Sequence, residues 1–230
     1  MSLLLDPVAP GVARVPVAFV NVYLVGEPDE PWCVVDSGLP GTSALTVRMA
    51  EERFGPDARP EGIVLTHGHF DHAGSALALA RHWDVPIYAH PLELPYLTGQ
   101  SDFAPKDTTM SGAIAFLARF FPGGGYDFGD HVMPLPEDGS VPGARDWRWL
   151  HTPGHTAGHV SLFRDFDRAL VSGDALATMD LDSWSAQVTK PRQFDRPPVP
   201  FTPDWDAARA SVSLLADLEP SLVAAGHGLP

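Results

Sequence analysis

The chain has 230 residues, 44% of them apolar, enough to close one large domain over a real core and too apolar for a disordered tail. Fifteen Lys plus Arg against 29 Asp plus Glu leave a formal charge of -14 at pH 7, a field that repels phosphate backbones and anionic lipid, so neither nucleic acid nor membrane is expected as a partner. No run approaches the roughly 20 apolar residues of a membrane span, and the start, Met1 to Leu5, lacks the basic residue and cleavage pattern of an export signal, which makes the cytoplasm the expected compartment.

Residues 12–17, 19–25 and 32–36 are short runs rich in β-branched and aromatic residues, bounded by Gly, Pro or Asp, and predict an antiparallel meander. The single cysteine, Cys33, lies in the third run as a small buried hydrophobe with no second thiol to pair with. Thr42 or Ser43 then reads as an N-cap, and residues 44–54 carry apolar side chains at helical spacing until Gly55 and Pro56 stop them. Strand and helix alternate from there: a strand over 62–66, a helix over 73–83, a strand over 85–89 and a short helix over 91–97. Residues 99–146 are the least regular, with a helix over 112–121 and a break at Gly123, Gly124 and Gly125. Strands over 147–151, 159–164 and 168–172 follow, then a Pro-rich loop over 190–203, a helix over 204–218 and a last strand over 222–225. Without an internal repeat or a linker, residues 1–230 read as a single domain of layered α/β or α+β type, with an insert around 92–146.

The sharpest feature is His67-Gly68-His69-Phe70-Asp71-His72, directly after a strand and directly before a helix. An H-x-H-x-D-H pattern arises by chance in roughly 0.002 chains of this composition, so coincidence explains it poorly. Alternate positions at a strand end put His67 and His69 on one side, where they can grip one ion. As the chain turns into the helix, Asp71 and His72 swing past that ion and can start a second site of mixed nitrogen and oxygen donors, suited to zinc, iron or manganese. A plain helix cap would explain Asp71 but not three histidines. His155, Asp174 and His227 supply further donors, each beside a glycine and just after a strand. Of the other histidines, His82 reads as solvated, His131 lies in the insert, and His90, His151 and His159 read as ordinary structural residues near the motifs, the other reading being a hydrogen bond to a ligand from behind.

With Asp36 in Val35-Asp36-Ser37-Gly38, these motifs resemble, in kind and order and over nearly the whole chain, the five motifs of the metallo-β-lactamase superfold of binuclear hydrolases. The resemblance implies a four-layer αββα sandwich with metals at one edge between two sheets. It implies that His67, His69 and His155 hold a first metal and Asp71, His72 and His227 a second, with Asp174 bridging them; the pair would be two Zn2+, or Fe or Mn. Asp36 would steady the metal loop from behind, the other reading being an ordinary turn aspartate before Gly38. Two ions roughly 3.5 to 4 Å apart can share a water and bring its pKa from 15.7 to about 7. The resemblance then implies hydroxide attack on the carbonyl of an ester, thioester or lactone, with Asp71 also shuttling a proton to the leaving group.

Asp174 at the fourth motif is similar to glyoxalase II, the acyl-homoserine lactonases and the diiron oxidoreductases, whereas zinc β-lactamases carry Cys or Ser there. Ala175-Leu176-Ala177 stands where the lactonases have a tyrosine, and two lysines in the whole chain leave no evident grip on glutathione. The chief rival is a persulfide dioxygenase-like oxidoreductase with one iron on His67, His155 and Asp174, and a lesser one is a metal-binding protein without catalysis. A ribonuclease does not suit the charge. The insert and the loop over 175–203, carrying Trp184 and Phe194, are expected to wall an apolar pocket with Phe70, suited to a small-molecule substrate with a hydrophobic acyl part. Ile114, Phe116, Leu117, Phe120 and Phe121 also fit a helix burying one face, and a homodimer contact or a lid is the remaining use of these aromatics. His227 stands three residues from the end, where chains fray; members of the superfold usually continue with a helix, so a truncated or naturally short chain with a weak second site is expected.

Overall fold

The computed structural model describes residues 5–107, 109, 112–121, 124–189 and 191–230; residues 1–4, Gly123 of the glycine break and Lys190 at the head of the Pro-rich loop lie outside them. Strands β1 (Asp6–Ala9), β2 (Val12–Val17), β3 (Val20–Val25) and β4 (Cys33–Val35) pair antiparallel, as the meander requires. Strands β5 (Ile63–Val64), β6 (Ile87–Ala89) and β7 (Val132–Pro134) continue that sheet in parallel. Parallel neighbours need crossovers, and these carry α1 (Ser43–Phe54), then α2 (Phe70–Ala73) and α3 (Ala76–Trp83), then α4 (Leu94–Leu97) and α5 (Ala113–Leu117). The second sheet has the order β12-β11-β10-β9-β8, from β8 (Ser140–Val141), β9 (Ala144–His151), β10 (Val160–Arg164), β11 (Ala169–Gly173) and β12 (Leu222–Ala225). Strand β12 returns parallel to β11 after α6 (Trp184–Thr189) and α7 (Trp205–Asp217).

Side-chain alternation along the strands builds the layers. On β3, Val20, Val22 and Leu24 pack with Met49 of α1 and Leu79 of α3, while Tyr23 and Val25 turn to the opposite face and meet Val160, Leu162 and Val171 of the second sheet. Ile63 and Val64 on β5 divide in the same way. On the far side of the second sheet, Phe163 and Leu170 pack against Leu215 of α7. Strands buried on both faces therefore read as continuous apolar runs, and the result is helix, sheet, sheet, helix: the four-layer αββα sandwich expected from the motifs. Each fully buried Val or Leu contributes roughly 1.5–3 kcal/mol to this arrangement. Cys33 is buried between the sheets.

Several boundaries differ from the sequence expectation. The helix expected over 73–83 starts at Ala76, after a short unexpected α2 that ends at Ala73; between them Ser75 donates through Oγ to Leu39 O (2.6 Å) and through its amide to Ser37 Oγ (3.2 Å). Thr42 occupies the N-cap position of α1 without capping it; its hydroxyl donates to Leu39 O instead. Strands β1, β7 and β8 were not expected: each is short and lies at or next to a sheet edge, where pairing rather than apolar pattern defines it. Among the described residues no helix is long and apolar enough to cross a membrane.

Candidate metal centre

The ends of β5, β9, β11 and β12 meet at one edge between the two sheets, and the loops that leave them carry the donors, with Asp36 at the end of β4 behind them. All seven sequence-predicted residues converge there. His67, His69 and His155 form one group, His67, His72 and Asp174 a second, and Asp71, His72 and His227 a third, the donor atoms within each lying within 4.8 Å of one another. Asp174 is central: its Oδ1 is 3.4 Å from His72 Nε2, and its Oδ2 is 3.5 Å from His155 Nε2 and 3.2 Å from His227 Nε2. Asp71 Oδ2 lies 3.5 Å from His227 Nε2 and 3.9 Å from His72 Nε2.

Four histidines are oriented from behind through Nδ1. His72 Nδ1 donates to Asp36 Oδ2 (2.8 Å), and His227 Nδ1 donates to Phe19 O (2.9 Å). Thr202 Oγ1 donates to Pro198 O (2.8 Å), which leaves it to accept from His155 Nδ1 (3.1 Å). Thr66 Oγ1 donates to Asp36 Oδ2 (2.9 Å) and accepts from His67 Nδ1 (3.0 Å). Each assignment turns Nε2 inward, as metal-binding imidazoles require. His69 differs, presenting Nδ1 at 2.9 Å from His155 Nε2.

The inward atoms are short of partners. His67 Nε2, His72 Nε2 and Asp174 Oδ1 are buried with no hydrogen bond, although an orphaned buried polar group costs about 1–3 kcal/mol. Three orphans aimed at one small space fit a cation, and the mixed imidazole and carboxylate set fits zinc, iron or manganese. Charge agrees. Burial opposes protonation of His72, but Asp174, Asp36 and Asp71 outweigh it and hold its pKa well above the usual histidine value. His227 is raised likewise, against burial, chiefly by Asp174. Burial would raise Asp174, yet His227 and His72 hold it well below the carboxylate range. Burial pushes His67 and His155 well down and His69 to about 3, leaving them neutral donors. Asp71 is raised by burial.

The loop bearing His227 does not fray. Asn21 Nδ2 donates to Ala225 O (2.9 Å) and Gly228 O (2.8 Å), Tyr23 Oη donates to Ala225 O (2.6 Å), and the Asn21 amide donates to Gly226 O (2.8 Å). His227 is consequently 2% exposed, although it stands three residues from the end of the chain. Sequence reading passed over Asn21, whose signal is a lone polar side chain in the apolar run Val20-Asn21-Val22. It also passed over Thr202. His159, read as an ordinary structural residue, accepts from the Asp174 amide (2.9 Å) through Nε2 and reaches Thr152 Oγ1 (2.9 Å) through Nδ1, so it sets where Asp174 starts.

Two cavities adjoin the donors. A small one, about 20 Å³, is enclosed by His69, Asp71, His155, Asp174 and His227 under Phe70, Ile114, Phe121 and Phe201. It shares His69, His155 and Phe201 with a space of about 350 Å³, walled also by Tyr96, Phe103, Pro105, Val199 and Trp205. The insert and the Pro-rich loop thus border the site, as does Phe70. Trp184 and Phe194 do not: they are 57% and 73% exposed, and Phe194 lines a separate groove outside the second sheet. The apolar residues of 112–121 also divide, Ile114 buried and Phe116 and Phe120 exposed.

Residues 15–227 match a family model described as the metallo-beta-lactamase superfamily. The probable metallo-hydrolase YflN of Bacillus subtilis (strain 168) is 43% identical over 225 residues, 96% of this chain and 85% of that protein. The hydroxyacylglutathione hydrolase GloC of Haemophilus influenzae is 26% identical over 156 residues, 68% of this chain and 66% of that protein. Among solved structures, TTHA1623 in a di-iron-bound form superimposes with a TM-score of 0.61 at 27% identity, over 94% of this chain and 91% of that one. The BLEG-1 B3 metallo-beta-lactamase gives 0.65 at 24% identity, over 95% and 92%, a likeness of fold.

Proposed function

The chain belongs to the metallo-beta-lactamase superfamily, and from that premise we propose that it is a binuclear metal-dependent hydrolase of esters, thioesters or lactones with an apolar, uncharged acyl part. The observation that carries the reading is the convergence of His67 Nε2, His72 Nε2 and Asp174 Oδ1, buried without partners, on one space. His67, His69 and His155 would hold one ion, Asp71, His72 and His227 the other, and Asp174 would touch both. When bound, two such ions acidify a shared water and polarise a carbonyl oxygen. Zinc is the expected metal, with iron a close second given the di-iron form of a similar structure.

The chain's own residues would do the rest. Phe70, Phe121 and Phe201 keep bulk water from the small cavity, which strengthens every charge interaction inside it. Tyr96, Phe103, Val199 and Trp205 would seat the acyl part, placing its carbonyl at the His69 and His155 side. Asp71, beside His227, would pass a proton to the leaving oxygen or sulfur through the carboxylate oxygen that does not face the ion. Among the described lining residues the one fully ionised side chain is Asp107, which disfavours acyl groups ending in a carboxylate. The thioester chemistry in the name of GloC supports including thioesters in the substrate class.

The test is a panel of neutral esters, thioesters and lactones assayed with zinc-loaded protein, alongside Asp174→Ala and His67→Ala. Turnover lost in both variants, with folding kept, is the expected result. Metal-loaded protein that turns over none of the panel, or a variant as active as the parent, would overturn the reading.

A further inference from the structure

Glu93 carries a carboxylate that is 0% exposed and takes no part in the donor groups. It sits in the turn before α4, its amide donating to His90 O (2.8 Å) and its carbonyl accepting from Tyr96 N (3.0 Å) and Leu97 N (3.2 Å), so its backbone is fixed. The carboxylate then reaches two separate loops. Oε2 accepts from the amide of Gly68 (2.9 Å), between His67 and His69, and Oε1 accepts from the amide of Gly158 (2.9 Å), between His155 and Asp174 in the chain and next to His159. Among the described residues no Lys or Arg pairs with it. Burying a charge without a counter-ion is costly, and a fold keeps one only where its hydrogen bonds achieve something a neutral side chain would not.

Both glycines are shaped for this approach. A Cβ on Gly158 would stand 2.8 Å from Glu93 Cγ and from its backbone nitrogen; one on Gly68 would stand 2.8 Å from Phe103 Cζ and 3.3 Å from Glu93 Oε2. Neither approach is open to a larger residue without displacement. A glutamine could accept at one loop only, since its amide nitrogen would face the other N–H donor.

We propose that Glu93 is a positioning residue for the metal centre: its carboxylate clamps the 67–69 loop to the 155–159 loop and so sets the spacing of His67, His69 and His155. The Gly68 N–H belongs to the peptide that follows His67 and stands one residue before His69, so holding it restrains the backbone between the two donors. Gly158 adjoins His159, which holds the Asp174 amide, and the same clamp thereby reaches the central carboxylate. The inference rests on the metal-binding reading above, and on nothing about which substrate is cleaved.

The experiment compares zinc affinity of metal-free wild type, Glu93→Gln and Gly158→Ala by competition with a chromogenic chelator, with near-ultraviolet circular dichroism and melting temperature recorded on the same samples. Glu93→Gln removes the acceptor at one loop, and Gly158→Ala pushes the intact carboxylate away from the other, so two unrelated changes attack one contact. The expected result is folded variants that bind zinc about 10–100-fold more weakly than wild type, with the double variant no worse than the weaker single one, as shared action requires. A purely structural role would lower the melting temperature and leave the zinc affinity of the folded protein unchanged; that result, in either folded variant, overturns the clamp. Wild type that takes up no zinc would overturn the metal centre itself and the clamp with it.

Discussion

Nδ1 of His72 lies 2.8 Å from Oδ2 of Asp36, a residue 36 positions earlier in the chain. Asp36 adopts φ 61, a left-handed conformation that aspartate tolerates better than most residues. From there its carboxylate also accepts from the Thr66 amide (2.8 Å), so the end of β4 holds both the start and the finish of the His67 to His72 motif. Asp36→Asn would set an amide donor against one of three donors. We expect it to fold and to bind metal about 10–100-fold more weakly, measured by chelator competition; unchanged affinity would leave Asp36 an ordinary turn residue.

Proton counts should separate the two halves of the centre. His72 and His227 hold protons without metal because Asp174 and its neighbours outweigh burial, whereas His67, His69 and His155 are already neutral. Metal at the Asp71, His72 and His227 group must displace those protons. Zinc titrated into weakly buffered metal-free protein at pH 7 should therefore release protons, and the release should shrink as pH rises past the raised pKa values.

Acid stability of the metal-free protein follows from the depressed groups. His159 is lowered to about 4 and His69 to about 3 by burial, and His67 and His155 fall as well. The unfolded chain binds more protons than the folded one below the ordinary histidine pKa, so stability falls as pH drops from about 6.5 toward about 4. His72 and His227 are charged in both states over that window and do not offset the loss. Denaturant midpoints at pH 7, 6, 5 and 4 should decline steadily; a flat profile would contradict the buried neutral histidines.

Asn21→Ala removes one of two donors from Ala225 O, which keeps Tyr23 Oη, and one of two from Gly228 O, which keeps Arg14, at a cost of about 0.5–1.5 kcal/mol for each bond lost. Its second effect is the more telling. With the 225–228 turn loosened, His227 should lose its place first, so metal bound per chain should fall while the three-histidine group stays loaded.

The larger cavity sets a substrate series. Phe201 lines both spaces and stands 5.6 Å from His69, ring to ring. For a straight-chain acyl series, kcat/KM should rise by up to about tenfold per methylene until the space is full. Phe201→Ala should flatten that rise and leave the shortest substrate least affected.

Much of this was legible in the sequence, for reasons particular residues make plain. Strands β3, β10 and β12 follow from apolar runs buried on both faces, and the motif from His67 to His72 declares itself because metal chemistry restricts residue type and spacing together. Asp174 and His227 were found through glycine and strand ends. What stayed hidden depends on long-range pairing: β7 and β8 exist through their neighbours, Ser75 between α2 and α3 bonds to a loop 36 residues earlier, and Glu93 and Asn21 act on residues 65 and more than 200 positions away. Trp184 and Phe194 misled because an aromatic in a loop has no fixed direction until the loop is folded.

The most direct test is the metal content of protein purified without added metal, read by elemental mass spectrometry and by native mass before and after incubation with zinc. About two divalent ions per chain is the expected result, with Asp174→Ala holding fewer. A folded protein that carries none and takes up none on incubation would contradict the metal centre, and one that saturates at a single iron would contradict the binuclear hydrolase.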